Sequence, residues 1–149
     1  MALRFDSQYD LDWWLKTRRR QPPTPRLVPT EDEEQATLIE WVRASARLYP
    51  ELLLLHASAN GGYRAKRTAA RLRKTGVLSG VPDLLLPVAR RGAHSLYVEL
   101  KALDGHPSEA QLLFAREAAL EGNVVAFAWG WEMARDTLLW YLFPAQENT

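Results

Sequence analysis

The chain has 149 residues, 47% of them hydrophobic and 25% charged, with a net charge of +1, values typical of one soluble globular domain. It has no cysteine, which excludes thiol catalysis, a disulfide scaffold and cysteine-ligated zinc. No apolar run approaches the ~20 residues of a membrane helix, and the N-terminus lacks a signal-peptide pattern, so we expect a cytoplasmic protein without a membrane partner.

The first 29 residues are predicted to form an extended arm ahead of a folded domain that spans residues 30–149. The arm contains the paired tryptophans Trp13 and Trp14, a basic cluster over residues 16–20 and four prolines. Proline has no backbone donor and disfavours helix, so this segment favours extended backbone. Because two adjacent tryptophans are too apolar for a solvated tail, we expect them to dock on this domain or on a second copy.

Residues 30–62 predict a helix, a strand and a turn. Thr30 and Glu33 have the spacing of a capping box, and apolar residues then recur at helical intervals to a point before Pro50. The apolar run Leu52–Ala57 is interpreted as a buried strand. Asn60-Gly61-Gly62 is typical of a turn.

The second half of the chain alternates further strands and helices. We predict a basic helical segment over residues 64–75, strands at Asp83–Val88, Leu96–Lys101 and Val124–Trp129, and helices from Ser108 to about Leu120 and over Trp131–Leu142. This order predicts an α/β fold in which a mixed central β-sheet is flanked by helices.

Three charged residues fall at the ends of two neighbouring predicted strands. Residues two apart on a strand share a face, so Glu99 and Lys101 project together. An antiparallel hairpin would bring Asp83 beside them. Charges that end apolar strands are costly unless they have a function, which favours a site over the alternative of a surface salt bridge between Glu99 and Lys101.

These residue types are suited to phosphodiester hydrolysis. Two carboxylates bind a hard divalent cation such as Mg²⁺, which needs few protein ligands. The ion polarises a phosphate and lowers the pKa of a bound water, and a lysine can position that water or neutralise developing negative charge. The backbone carbonyl of Leu100, between Glu99 and Lys101, is a further candidate ligand. Neither the number of ions nor the preferred DNA structure follows from these residues.

With its surroundings, this set resembles the VRR-NUC family of the PD-(D/E)XK nuclease superfamily. The motif reads Pro82-Asp83 and then Glu99-Leu100-Lys101, and the resemblance covers about residues 31–143. The other stretches that carry it are Glu31–Gln35, His56–Gly62, Arg67–Leu72, Gly76–Asp83 and Ser108–Gln111.

The resemblance implies a restriction-endonuclease-like core and a DNA endonuclease that depends on Mg²⁺ or Mn²⁺. It also implies a homodimer that cuts branched DNA in the manner of Holliday-junction resolvases, in DNA repair or replication within a bacterial or phage-infected cell. A symmetric dimer suits the two-fold symmetry of a four-way junction. The alternatives are a catalytically inactive DNA-binding module of the same fold and an interaction protein whose main feature is the arm.

Two further residues are candidates for the catalytic site. In the family pattern Gln111 lies near the catalytic lysine, although Ser108–Gln111 is also a capping box, and both interpretations can hold. The family places an acid of the first helix at the metal. We favour Glu31 over Glu34 because Glu31 lies beside Gln35 on the helix, nearest its apolar face, although acids in a first turn also stabilise the helix dipole.

A basic segment precedes the Asp83 strand and is a candidate DNA-binding surface. Its cations are not interrupted by any acid, whereas charge runs in a nearly neutral protein normally alternate in sign. Clustered cations indicate phosphate contact, and the alternative is a solvated helix face. Asn60 and Gly61 either let backbone amides approach a phosphate or form a plain turn. The cations are Arg64, Lys66, Arg67, Arg71, Arg73 and Lys74.

Overall fold

The computed structural model describes residues 3–5, 28–58 and 66–143, and the side chains of residues 28–58 and 69–143. Apart from residues 3–5, 28 and 29, the predicted arm lies outside this part of the chain, including the docking predicted for Trp13 and Trp14. The predicted turn Asn60-Gly61-Gly62 and Arg64 also lie outside the described residues.

A five-stranded mixed β-sheet forms the centre of the described structure, with the strand order β1-β5-β4-β3-β2. Strand β4 pairs in parallel with β5, and the other three pairings are antiparallel. The predicted α/β fold with a mixed sheet is therefore confirmed. The strands are β1 (Leu3–Phe5), β2 (His56–Ala57), β3 (Leu84–Leu86), β4 (Leu96–Lys101) and β5 (Val124–Trp129).

Four α-helices and one 3-10 helix accompany the sheet: α1 (Glu31–Ser45), the 3-10 helix (Pro50–Leu54), α2 (Lys66–Lys74), α3 (Glu109–Leu120) and α4 (Trp131–Leu142). Helices α1 and α4 contact each other and β4, whereas α3 contacts β5 and β1. None of the helices in the part of the chain described here is long and apolar enough to span a membrane.

The sheet separates two apolar cores, and alternation along the strands assigns residues to each. Val124 and Ala126 of β5 belong to the larger core with α1 and α4, whereas Val125 and Phe127 pack with α3. On β4, Leu96, Val98 and Leu100 belong to the larger core and Tyr97 contacts the smaller one. Because side chains alternate between faces, Glu99 and Lys101 share the face of Tyr97, as predicted.

Helices α1 and α3 each begin with the predicted capping box. The hydroxyl of Thr30 accepts from the amide of Glu33 at 3.2 Å, and the Glu33 carboxylate accepts from the amide of Thr30 at 2.7 Å. Ser108 and Gln111 make the equivalent pair of bonds at 3.2 and 2.9 Å. Each box fixes the first turn of a helix, and these first turns carry Glu31 and Gln111.

Two predicted strands are shorter in the structure. The prediction of a buried strand over Leu52–Ala57 is wrong for most of its length, because a 3-10 helix occupies Pro50–Leu54 and only His56–Ala57 form a strand. Leu52 is 1% exposed whereas Leu53 is 73% exposed, so the leucine run is not buried as a whole. The strand predicted at Asp83–Val88 is restricted to Leu84–Leu86, and beyond it the Val88 amide turns back to bond the Leu86 carbonyl.

The different burial of the two adjacent leucines can be tested. Leu52→Ala should lower the free energy of unfolding by about 2 to 5 kcal/mol, because it leaves a cavity in the core. Leu53→Ala should change it by no more than about 0.5 kcal/mol, because the side chain is exposed. Urea denaturation of both variants measures the difference, and equal losses would contradict the difference in burial between the two leucines.

Candidate active site

Asp83 and Glu99 meet at the ends of β3 and β4. The antiparallel register pairs Leu84 with Val98, which places Asp83 beside Glu99. The amide of Asp83 donates to Oε2 of Glu99 at 3.1 Å, and the amide of Leu100 donates to Oδ2 of Asp83 at 2.9 Å. Main-chain donors therefore hold both carboxylates where the two strands end.

Lys101 joins this pair from the same face of β4. Its Nζ lies 2.8 Å from Oε1 of Glu99 and 3.3 Å from Oε1 of Glu31 in the first turn of α1. Lys101 is 5% exposed and Glu99 is 2% exposed, whereas the Glu31 side chain is 46% exposed. The ammonium group thus bridges a buried acid of the sheet to a more accessible acid of the helix.

Gln111 completes the group from α3. Its side-chain amide donates to Oε1 of Glu99, while its own carbonyl oxygen accepts from the Ser108 amide. One side chain therefore caps its helix and also contacts Glu99. The structure brings together Asp83, Glu99, Lys101, Gln111 and Glu31.

Glu34, the alternative to Glu31, has a different environment. It is 7% exposed, and its Oε2 accepts a hydrogen bond from the amide of Trp131 at 2.7 Å. In the described part of the chain, Glu31 therefore contacts Lys101, whereas Glu34 contacts Trp131.

The Leu100 carbonyl lies on the side of β4 that faces Asp83. The amide and carbonyl of one strand residue point to the same edge, and the Leu100 amide already donates to Asp83. The Leu100 carbonyl is therefore on the edge where both carboxylates are held.

Burial dominates the electrostatics of the site. Burial, and next the charge of Asp83, raise the pKa of Glu99 to about 7 against the opposing effect of Lys101. Burial also raises the pKa of Asp83, although its bond from Leu100 and the charge of Lys101 act in the other direction. Burial favours a lower pKa for Lys101, but its interactions with Glu99 and then Glu31 outweigh this and leave that pKa raised.

The predicted basic surface is described in part. Arg71, Arg73 and Lys74 are exposed on α2, and none of them forms a salt bridge with another described residue. Lys66 and Arg67 belong to the same helix, but their side chains lie outside the description. Helix α2 ends nine residues before Asp83, so the cations precede the site closely along the chain.

Gly80 is a residue of the site region to which the sequence assigned no role. It has a φ of +86°, and a Cβ at this position would collide with the Ala110 carbonyl and lie 2.9 Å from the Gln111 nitrogen. The loop that leads to Asp83 thus packs its backbone directly on the first turn of α3. The signal in the sequence is a glycine three residues before the aspartate, but only the fold shows what approaches it.

Comparison with solved structures identifies the fold. A structure described as a VRR-NUC domain protein matches the chain with a TM-score of 0.65 and 28% identity, covering 76% of this chain and 88% of that one. The fold is that of a VRR-NUC domain. The predicted resemblance and the restriction-endonuclease-like core are thereby confirmed, and a nuclease-type domain is supported. No family model and no curated protein matches the sequence.

The raised pKa of Glu99 predicts a pH-dependent stability in the absence of divalent ions. Its pKa is about 7 in the folded domain and 4.5 ordinarily, so the folded form holds a proton that the unfolded chain releases in this interval. Stability should therefore fall as the pH rises from 5 to 8. Glu99→Gln cannot titrate, and the wild type should lose about 1 to 3 kcal/mol more than this variant.

Urea denaturation in EDTA at several pH values measures this difference. Glu117→Gln, an exposed change on α3, is the matched control and should follow the wild type. The same pH dependence in wild type and Glu99→Gln would contradict the raised pKa.

The close packing of Gly80 predicts a second effect on stability. Gly80→Ala and Gly76→Ala both place a side chain at positive φ, but a Cβ at position 76 meets no atom within 4 Å. Gly76→Ala should therefore lower the free energy of unfolding by about 1 kcal/mol, the cost of a side chain at positive φ without a steric clash. Gly80→Ala should cost about 1 to 3 kcal/mol more, because α3 must shift. Thermal unfolding compares the two, and similar losses would argue against the contact with α3.

Proposed function

We propose that this protein is a DNA endonuclease that hydrolyses phosphodiester bonds with Mg²⁺ or Mn²⁺ at Asp83, Glu99 and Lys101. One observation carries the proposal. A buried carboxylate, Glu99, and a half-buried one, Asp83, are held together at neighbouring strand ends, with an ammonium group 2.8 Å from Glu99. The similarity to a VRR-NUC domain protein supports the coarser assignment of a nuclease-type domain.

The residues at the site fit a hydrated Mg²⁺ ion. The two carboxylates and the Leu100 carbonyl are hard oxygen donors on one edge of β4, and burial and mutual repulsion raise the pKa of Glu99, a cost that a cation would relieve. Among the described residues, no three acid or histidine side chains form a complete metal cage. Mg²⁺ does not require one, because it usually keeps several water ligands. Glu31 is a further candidate ligand.

The side chains of the site have separate roles in this mechanism. When bound, the ion would polarise the scissile phosphate and lower the pKa of a coordinated water. Lys101 positions the attacking water and stabilises negative charge that develops on the phosphate oxygens. The side-chain amide of Gln111 donates to Glu99 and holds its carboxylate in one orientation.

The basic segment supplies the DNA-binding surface of the proposed enzyme. Exposed cations on α2 would neutralise phosphates of the DNA backbone, and only eight residues separate this helix from Asp83. We assign this role to Arg71, Arg73 and Lys74, and extend it to Lys66, Arg67, Arg64, Asn60 and Gly61.

We further propose that the substrate is branched DNA, cut by a homodimer in the manner of a Holliday-junction resolvase. Two copies related by a two-fold axis would present two equivalent sites, which matches the symmetry of a four-way junction. In a cell this activity would serve DNA repair.

A cleavage panel of branched and linear DNAs tests the proposed function. The wild type should cut with Mg²⁺ or Mn²⁺ and not with EDTA, fastest on a branched substrate. Asp83→Asn, Glu99→Gln and Lys101→Met should each lower the rate at least about 100-fold, because each removes a group that acts on the reacting phosphate. A wild-type rate in any of these variants would count against the assignment.

Two controls separate chemistry from binding. Arg71→Ala should weaken DNA binding and reduce its salt dependence. Arg47→Ala should not, because Arg47 follows the C-terminal end of α1, away from Glu31 at its start. Site variants should keep wild-type affinity in a gel-shift assay. Binding without cleavage by the wild type would instead support an inactive DNA-binding module.

A further inference from the structure

Glu34 is a buried acid that the proposed chemistry does not use. It lies one turn after Glu31 on α1, and its Oε2 accepts from the amide of Trp131 at 2.7 Å. Trp131 is the first residue of α4, and the preceding Gly130 has no side chain to cap that helix. Glu34 therefore supplies, from another helix, the acceptor and the negative charge that stabilise a helix N-terminus.

The start of α4 is also hydrogen-bonded to β4, the strand that carries Lys101. The amide of Gly130 donates to the carbonyl of Lys101 at 3.0 Å, so consecutive residues link Lys101 to Glu34. The φ of Gly130 is +85°. A Cβ added at this residue would lie 3.7 Å from Oε1 of Glu34, so the Gly130 backbone lies close to that carboxylate. Hydrogen bonds thus connect the Lys101 backbone to the start of α4 and the start of α4 to α1, and a salt bridge connects α1 to the Lys101 side chain.

The contact between Glu31 and Lys101 depends on where α1 lies. Nζ of Lys101 and Oε1 of Glu31 are 3.3 Å apart, and the Glu31 side chain is 46% exposed. This salt bridge therefore contributes little to the stability of the arrangement by itself. The capping box of Thr30 and Glu33 is internal to the helix and cannot set the position of α1 against the sheet. The Glu34 bond to Trp131 connects the first turn of α1 to a group that is itself bonded to Lys101.

We infer that Glu34 is a positioning residue, which fixes the first turn of α1 so that the Glu31 carboxylate meets the Lys101 ammonium. The consequence for catalysis rests on the proposed function, whereas the consequence for the geometry of Lys101 does not. Glu31 and Glu34 thus act on the same lysine, one directly and one through the start of α4.

A double-mutant cycle in cleavage rate tests this inference. Glu34→Ala should lower kcat about tenfold with KM nearly unchanged, and Glu34→Gln should stay within about threefold of wild type because its amide oxygen can still accept from Trp131. In a Glu31→Ala background, Glu34→Ala should have an effect of less than about twofold, since the group it positions is already absent. Equal effects in both backgrounds would overturn the inference and leave Glu34 a purely structural residue.

A second readout needs no activity. The chain has four lysines, Lys16, Lys66, Lys74 and Lys101, so their ammonium groups can be followed by ¹H–¹⁵N NMR in metal-free protein. The Lys101 signal should shift in Glu34→Ala and in Glu31→Ala but not in Glu34→Gln. An unmoved Lys101 signal in Glu34→Ala would overturn the inference whatever the cleavage assay shows.

The two readouts distinguish the inference from the proposed function. If wild type cuts no DNA but the Lys101 signal shifts as described, the proposed function fails and the positioning role stands. If Glu34→Ala does not fold, Glu34→Asp replaces it in both experiments. The shorter side chain keeps the charge but withdraws the carboxylate from Trp131, and it should give the same pattern with a smaller amplitude.

Discussion

The site depends on two hydrogen bonds that cross from the end of one strand to the end of its neighbour. Strand β3 begins at Leu84, whereas β4 continues to Lys101, so the last part of β4 has no strand partner on that side. The Leu100 amide donates instead to Asp83, and the Asp83 amide donates to Glu99. A buried and a half-buried acid are tolerated here because the unequal strand lengths leave main-chain donors for them.

The helices are arranged so that their first turns surround these acids. Helix α3 brings Gln111 to Glu99, α1 brings Glu31 to Lys101, and the residue before α4 is bonded to the Lys101 carbonyl. The capping boxes of α1 and α3 therefore stabilise the helices and also fix the side chains that complete the site.

The sequence predicted the elements with clear periodicity and failed where periodicity is ambiguous. Strands β4 and β5 and helix α4 have the predicted bounds. Alternating and helical apolar patterns mark β4 and α4, and β5 is an apolar run bounded by Gly122-Asn123 and Gly130. The leucine run before His56 has no such pattern, and a short apolar run fits either a buried strand or a helical turn. The meeting of Asp83, Glu99 and Lys101 was predictable from the sequence because they fall at the ends of apolar strands. The glycine at position 80 is visible in the sequence, but its contact with α3 depends on the packing of a helix some 30 residues further along the chain.

The acids that open α1 show most clearly what packing adds to a sequence. Glu31, Glu33 and Glu34 are close neighbours of one chemical type, yet the rotation of the helix gives each a different partner: Lys101, Thr30 and Trp131. In the proposed enzyme this division matters for Lys101. A cation beside Asp83 and Glu99 would compete with the lysine for Glu99, and Glu31 offers the ammonium a second partner. Lys101 can then stay at the site while Glu99 binds the metal, provided that Glu34 keeps α1 in place.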